Sequence, residues 1–169
     1  MRTLLALLAG TAAVLGCRAD HPSLDVQLPG TPVAVAEIRV SPPPAPAHEY
    51  YSGYADHTRL VLRSTEEWAD AWATIHEGQE PLPPLPPVDF VADMVLLAAT
   101  GTRQSGGFDV TITNAALDAG TLRVGVVETT PGRGCAVATV ITRPVTAARV
   151  ARHEGPVEFV DRTVAIRCE

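Results

Sequence analysis

Residues 94–112 read MVLLAATGTRQSGGFDVTI, and the two halves of this stretch follow different rules. Met94 to Ala99 are apolar without a break and too few for a core helix, which is the pattern of a strand covered on both faces. From Phe108 onward the pattern is strict alternation: Phe108, Val110 and Ile112 are separated by Asp109 and Thr111, the period of a strand with one wet face. Between them, Thr100 to Gly107 hold only small, polar and charged residues. This loop has three readings: an anion cradle, an exposed nucleophilic serine, or a turn.

Upstream, RLVLR (59–63) reads as another strand and Ser64 to Glu67 as a capping box, in which Ser64 and Glu67 each satisfy a backbone N–H of the other. Trp68, Ala71, Trp72 and Ile75 then recur at the helical interval, so an amphipathic helix is predicted over about residues 65–77, stopped by Gly78. QEPLPPLPPVDF (79–90) follows, a stiff connector whose PxxP spacing also suits a polyproline-binding partner. Downstream, Leu122, Val124 and Val126 alternate as the hairpin partner of the strand from Phe108, across the turn LDAG (117–120). AVATVITR (136–143), VTAARVAR (145–152), VEFV (157–160) and TVAIRC (163–168) each read as strands, the last two flanking a turn at Asp161 and Arg162. One helix among many strands predicts an α+β domain, a mostly antiparallel, curled sheet covered by that helix.

The chain opens MRTLLALLAGTAAVLGC, a basic start, a short apolar run and small residues, as an export signal requires. Val14-Leu15-Gly16-Cys17 resembles the lipobox of bacterial lipoproteins. The expectation is a signal peptide over residues 1–16, lipid on Cys17, and a protein anchored to the cell envelope facing the periplasm or the exterior. An ordinary cleaved signal with an incidental Cys17 is the alternative. Residues 17–47 are rich in proline and small side chains and read as a tether, with Val33 to Val40 alternating enough to join a sheet edge. A single domain is expected over 48–169.

A net charge of −6, with basic residues that are all arginine and scattered singly, excludes the basic stripe that nucleic-acid binding requires. With Cys17 lipidated, Cys135 and Cys168 remain as a pair, which an oxidising compartment would join as a disulfide; two buried thiols are the alternative. Without CxxC spacing they do not make a zinc site.

The sequence offers no catalytic set. Ser105 lacks the glycine two residues earlier that a nucleophile elbow needs, because Arg103 stands there. The loop also lacks the Gly-Lys-Ser/Thr that would cradle phosphate. Gly106 and Gly107 read instead as positions of positive φ and a bulge that aims Phe108 into the core. His21, His48, His57, His76 and His153 are dispersed and expected at the surface, and Asp89, Asp93 and Asp109 have no spacing that demands pairing. No metal and no cofactor is expected.

Three blocks, LVLRSTEEWADAWATIHEG (60–78), VDFVADMVLLAATGTRQSGGFDVTI (88–112) and VVETTPGRGCAVATVITRPV (126–145), resemble in that order the C-terminal domain of the PrcB-type protease-complex subunit family. The matching positions are Asp89 and Phe90, then Gly101, Ser105, Gly106, Gly107 and Phe108, then Pro131, Gly132, Gly134 and Cys135. Serine stands at 105 where the family more often has threonine, and phenylalanine at 108 where it more often has tyrosine. The resemblance implies a non-enzymatic lipoprotein that associates with and stabilises an extracytoplasmic protease, and it brings no catalytic residue with it. Two Gly-rich loops, Gly101 to Phe108 and Pro131 to Gly134, are the candidate contact surface, with Arg103 and Arg133 placed to meet a partner's carboxylates. The partner expected is another exported protein, a serine protease first. The competing functions are a small-ligand or envelope-component binder with a pocket between helix and sheet, and a hydrolase built on a cluster such as Ser105, His153 and an aspartate.

Overall fold

A computed structural model of the chain describes residues 24–41, 45 and 49–168. The expected signal peptide and the lipidation of Cys17 lie outside the described residues. The order of elements is β1 (Thr31–Val33), β2 (Val35–Ile38), β3 (Thr58–Leu62), α1 (Thr65–Ile75), β4 (Asp93–Ala99), β5 (Asp109–Asp118), β6 (Thr121–Pro131), β7 (Val145–Ala151) and β8 (Val157–Ile166). The fold is mostly β with one short helix, and its strand pairs are antiparallel except β6 with β8. In place of the one sheet expected there are two, ordered β1-β5-β6-β8 and β2-β7-β4-β3.

The unbroken run at 94–99 explains the layering. Val95, Leu97 and Ala99 of β4 pack in one core with Trp68, Ala71, Trp72 and Ile75 of α1. Met94, Leu96 and Ala98 pack in a second core with Val110, Ile112, Leu122, Val124 and Val126 of the other sheet. Because successive side chains of a strand point to opposite faces, β4 is apolar throughout only because both its faces are covered. The layers are therefore helix, sheet, sheet. The expected capping box is present: Ser64 accepts the Glu67 N–H at 3.1 Å and Glu67 accepts the Ser64 N–H at 3.2 Å. The helix ends at Ile75, two residues short of the prediction.

The connector 79–90 lies along α1 and is fastened to it. Trp68 Nε1 donates to the Pro86 carbonyl at 3.1 Å and Trp72 Nε1 to the Pro83 carbonyl at 2.8 Å, so two PxxP-spaced carbonyls are taken up by the protein's own indoles. His76 caps the helix, and it is only 1% exposed, against the expectation of a surface histidine.

Three further expectations need correction. AVATVITR forms no strand: among residues 136–143 only Thr142 and Arg143 make isolated bridges. Asp161 and Arg162 do not turn the chain, because β8 runs straight through them in unbroken register with β6. Within the segment read as a tether, the strand expected over Val33 to Val40 is found at a sheet edge as Val35–Ile38, and the pairing starts earlier than expected, at Thr31. One extended run pairs first with β5, as β1, and then with β7, as β2, so that it crosses from the edge of one sheet to the edge of the other.

Candidate interaction site at the loop end

The register puts the end of β4, the start of β5, the end of β6, the starts of β3 and β7 and the end of β8 at one end of the two sheets. Three connections meet there: 49–57, 100–108 and 132–144. They are tied to one another by backbone hydrogen bonds. The Thr102 N–H donates to the Ala55 carbonyl at 2.8 Å, Arg103 and Thr142 exchange a pair at 2.8 and 3.0 Å, and the Gly106 N–H donates to the Ala138 carbonyl at 2.9 Å. Thr142 Oγ1 also donates to the Ser105 carbonyl at 3.0 Å. The two Gly-rich loops predicted from sequence are thus side by side.

Positive φ falls at Gly101 (+76°) and Gly107 (+85°), and Gly106 does not share it. A Cβ on Gly101 would stand 2.8 Å from the Asp56 carbonyl carbon, and one on Gly107 would stand 3.0 Å from Val137 Cγ1 and 3.3 Å from Pro131 Cβ. Both positions therefore combine a backbone conformation that resists side chains with close neighbours. Phe108 is half-buried and takes no place in either core; the Arg103 guanidinium lies 5.4 Å from its ring centroid. The bulge sits further along β5, between Ile112 and Asn114.

Beneath the loops lies a charge cluster that the sequence reading missed. Glu128, 8% exposed, receives Arg59 Nη2 on Oε1 at 2.6 Å and Arg103 Nη2 on Oε2 at 2.9 Å, while Arg59 Nη2 also reaches Asp161 Oδ1 at 2.7 Å. His57 Nε2 stands 3.1 Å from Glu128 Oε1. Arg59 Nη1 donates to the Thr58 and Ala99 carbonyls. Burying a charge is costly unless it is paired and hydrogen-bonded; two carboxylates against two guanidiniums supply the pairing, while Arg103 Nε is buried without a hydrogen-bond partner among the described residues. The signal was available: Glu128 continues the core-facing positions of Val124 and Val126, Asp161 those of Val157 and Phe159, and Arg59 that of Val61. Ligand atoms of His57, Glu128 and Asp161 lie within 4.8 Å of one another, as a metal site would need. Arg59 bridges the two carboxylates, so the cluster works as an ion-pair clasp between β3, β6 and β8.

Arg103, offered from sequence to a partner, is spent on Glu128. Arg133 is exposed. Ser105 Oγ donates to the Gly106 carbonyl, and the histidine suggested for it, His153, lies at the opposite end with Nε2 3.1 Å from the Gly120 carbonyl. Ser105 and His153 are therefore not brought together. Cys135 and Cys168 are disulfide-bonded, closing the loop end over a separation of 33 residues, with Cys168 exposed. Asp93 pairs with Arg149, and Asp89 accepts the Val91 N–H, so neither belongs to a site.

A family model described as PrcB C-terminal matches residues 94–151. These residues carry a PrcB C-terminal domain match. No curated protein and no solved structure matches the chain. The PrcB C-terminal match begins with β4 and ends with β7, and so contains both Gly-rich loops and Glu128, while α1 and β8 lie outside it. The match also runs through the apolar part of the loop end. Of nine exposed large hydrophobic residues among those described, Tyr51, Val137, Val140, Ile141 and Ile166 are at this end.

Proposed function

We propose that the protein is a non-enzymatic lipoprotein of the cell envelope that binds and stabilises another exported protein, with a serine protease as the expected partner. The observation that carries this reading is the PrcB C-terminal match over the elements that build the loop end. A rigid two-sheet scaffold presenting connections that are tied together and apolar at their surface suits recognition of a protein surface. Lipid on Cys17 holds the domain at the membrane, and the buried clasp under the loops has no nucleophile and serves to fix them. Capture of the tagged protein from solubilised envelopes is expected to recover an exported protease whose lifetime shortens when the gene is deleted. Cys17→Ser is expected to move the protein to a soluble fraction. Recovery of no envelope protein above background, or hydrolysis of casein by the purified protein alone, would end this reading.

A second reading, a small-ligand binder, is favoured by one observation. A cavity of about 390 Å³ lies between α1, the connector and the segment after β2, lined by Trp72, Pro83, Pro84, Pro86, Val40 and Arg39. Its walls are almost wholly apolar, which suits an uncharged ligand.

A further inference from the structure

The edges of the two sheets are not alike. β1, β2 and β3 are edge strands of three, four and five residues, whereas β8 has ten and is paired on one side only. The Leu122 N–H donates to the Pro156 carbonyl and the Gly132 N–H to the Ile166 carbonyl, so the even-numbered residues of β8 turn their backbone groups toward β6. The N–H and C=O groups of Val157, Phe159, Asp161 and Thr163 therefore point away from the sheet, and none has a partner among the described residues. β8 contains no proline and keeps unbroken register, so it lacks the devices that ordinarily protect a long edge. Such an edge is a template for one more strand.

The side chains of β8 decide which strand fits. Val157 and Phe159 pack toward the core between the sheets and Asp161 pairs there with Arg59, so Glu158, Val160 and Arg162 lie on the outer face. Glu158 bonds Arg123 at 2.5 Å and keeps 52% of its side chain exposed, and Arg162, also exposed, donates from Nη1 to the Asp25 carbonyl. The other charges near the strand, Arg63 and Glu154, stand beside Val157 at its start; Arg63 bonds the His153 and Gly155 carbonyls and Glu154 pairs with Arg152. Opposite charges thus flank Val160 symmetrically on one face.

In a symmetric antiparallel pair the two-fold axis stands perpendicular to the sheet, so outer-face residues meet outer-face residues. With the axis through Val160, Glu158 of each copy faces Arg162 of the other. The outward backbone groups then match as well, Phe159 with Asp161 and Val157 with Thr163 of the second copy. An axis through Glu158, Asp161 or Arg162 would set like charges opposite each other, which is unfavourable, and one through Phe159 would set Glu158 against Val160 and Arg162 against Pro156.

We infer that β8 is a dimerisation edge, to which a second copy of this chain adds antiparallel about Val160 to make one continuous sheet. The inference is independent of the interaction-subunit reading: β8 lies outside the family match, and antiparallel pairing leaves the two loop ends at opposite ends of the dimer. Main-chain pairing holds the copies together, and the Glu158–Arg162 pairs set the register.

The test uses the full chain in intact cells, with one cysteine introduced at a time. Val160→Cys brings two Cα atoms about 4.5 Å apart across the axis, within the range that a disulfide spans. Mild oxidation is expected to convert this variant to a species of twice the monomer mass that reductant dissolves. Thr163→Cys, whose two copies lie about 20 Å apart in this register, is expected to stay monomeric. In the Val160→Cys background, Glu158→Arg and Arg162→Glu are each expected to cut the cross-linked yield about fivefold or more, and the double reversal to restore it to within about twofold. Circular dichroism melting curves check that each variant folds, and restoration by the double reversal is a readout that loss of folding does not produce. No cross-link at position 160, equal cross-linking at 160 and 163, a cross-linked partner that mass spectrometry identifies as a different protein, or indifference to charge reversal would overturn the assignment.

Discussion

The two ends of the paired sheets are built from the same strands and are closed in opposite ways. At the turn end, β5 and β6 are joined by Ala119 and Gly120, both with positive φ, and β7 and β8 by residues 152–156. Exposed polar groups there find partners close at hand: Arg123 bonds Glu158 at 2.5 Å and Asp118 at 3.4 Å, and Arg152 bonds Glu154 and the carbonyls of Arg63 and Phe90. At the loop end the connections are long, Arg59 and Glu128 are paired and buried beneath them, and Tyr51, Val137, Val140, Ile141 and Ile166 are exposed on the outside. The turn end has short connections and surface ion pairs, with Val91 and Leu117 as its exposed large hydrophobic residues. The loop end has a stiff underside and an apolar exterior, the arrangement that supports the recognition surface proposed above.

Reducing the Cys135–Cys168 bond opens a loop of 33 residues, worth about 3 to 4 kcal/mol on the chain-entropy model. Denaturation midpoints with and without reductant measure it; identical midpoints contradict it. Removing the clasp should break the contrast between the two ends most sharply. Glu128→Ala leaves Arg59, whose side chain is 10% exposed, with Asp161 as its remaining carboxylate partner, and the expected loss is about 1.5 to 3 kcal/mol in urea unfolding, the worth of a hydrogen bond to a charged group. Hydrogen exchange should then accelerate at 100–108 and 136–143 while the 118–121 turn keeps its protection. Uniform acceleration at both ends would mean that the clasp is not specific to the loops. Gly107→Val should cost about 1 to 3 kcal/mol from positive φ alone, more if Val137 and Pro131 do not yield, whereas Ser105→Ala should stay within about 0.5 kcal/mol. A thermal melt on each variant decides the order.

The smallest expected effect is one of pH. Burial pushes the His76 imidazole below its usual range, an effect that the Gln79 side chain, Glu49 and the Val40 backbone offset only in part. Its ring stacks edge-on to Trp72 at 4.3 Å, and neither ring nitrogen reaches hydrogen-bond geometry with a described residue. The folded state holds this group less readily protonated than the unfolded chain does, so below the ordinary histidine pKa the unfolded state binds more protons. Stability is therefore full above about pH 6.5 and declines as the pH falls through that value toward the lower folded pKa. His76→Leu should flatten the dependence of melting temperature on pH in that window; an unchanged slope would assign it to other groups.

Much of the fold was legible because it rests on local or periodic rules. The capping box, the Trp68 and Trp72 stripe and the apolar run of β4 each carry their own structural instruction. The strand misread at 136–143 shows where such rules stop: residue types record fitness for a pleated surface, not whether a neighbouring strand is there to pair with. The turn misread at Asp161 and Arg162 has a different cause. A charged pair in a strand resembles a turn until Asp161 is seen to face Arg59, 102 residues away in the chain. The clasp was illegible for the same reason, since its partners are separated by 25, 69 and 102 residues and only their core-facing positions hinted at it. Alternation revealed the edge strand at Val35–Ile38, whereas Pro32 concealed the shorter pairing of Thr31–Val33 with the other sheet.

That run has a mechanical consequence. Tension on the chain ahead of residue 24 does not reach a bead through a slack thread. It meets the hydrogen bond from Arg162 Nη1 to the Asp25 carbonyl at 3.2 Å, the two that tie Val26 to Asn114, at 3.2 and 2.9 Å, and then three register pairs in one sheet and four in the other. A pull from that side is therefore passed from one sheet to the other in turn, and the first strand to yield is β1 at the edge of its sheet.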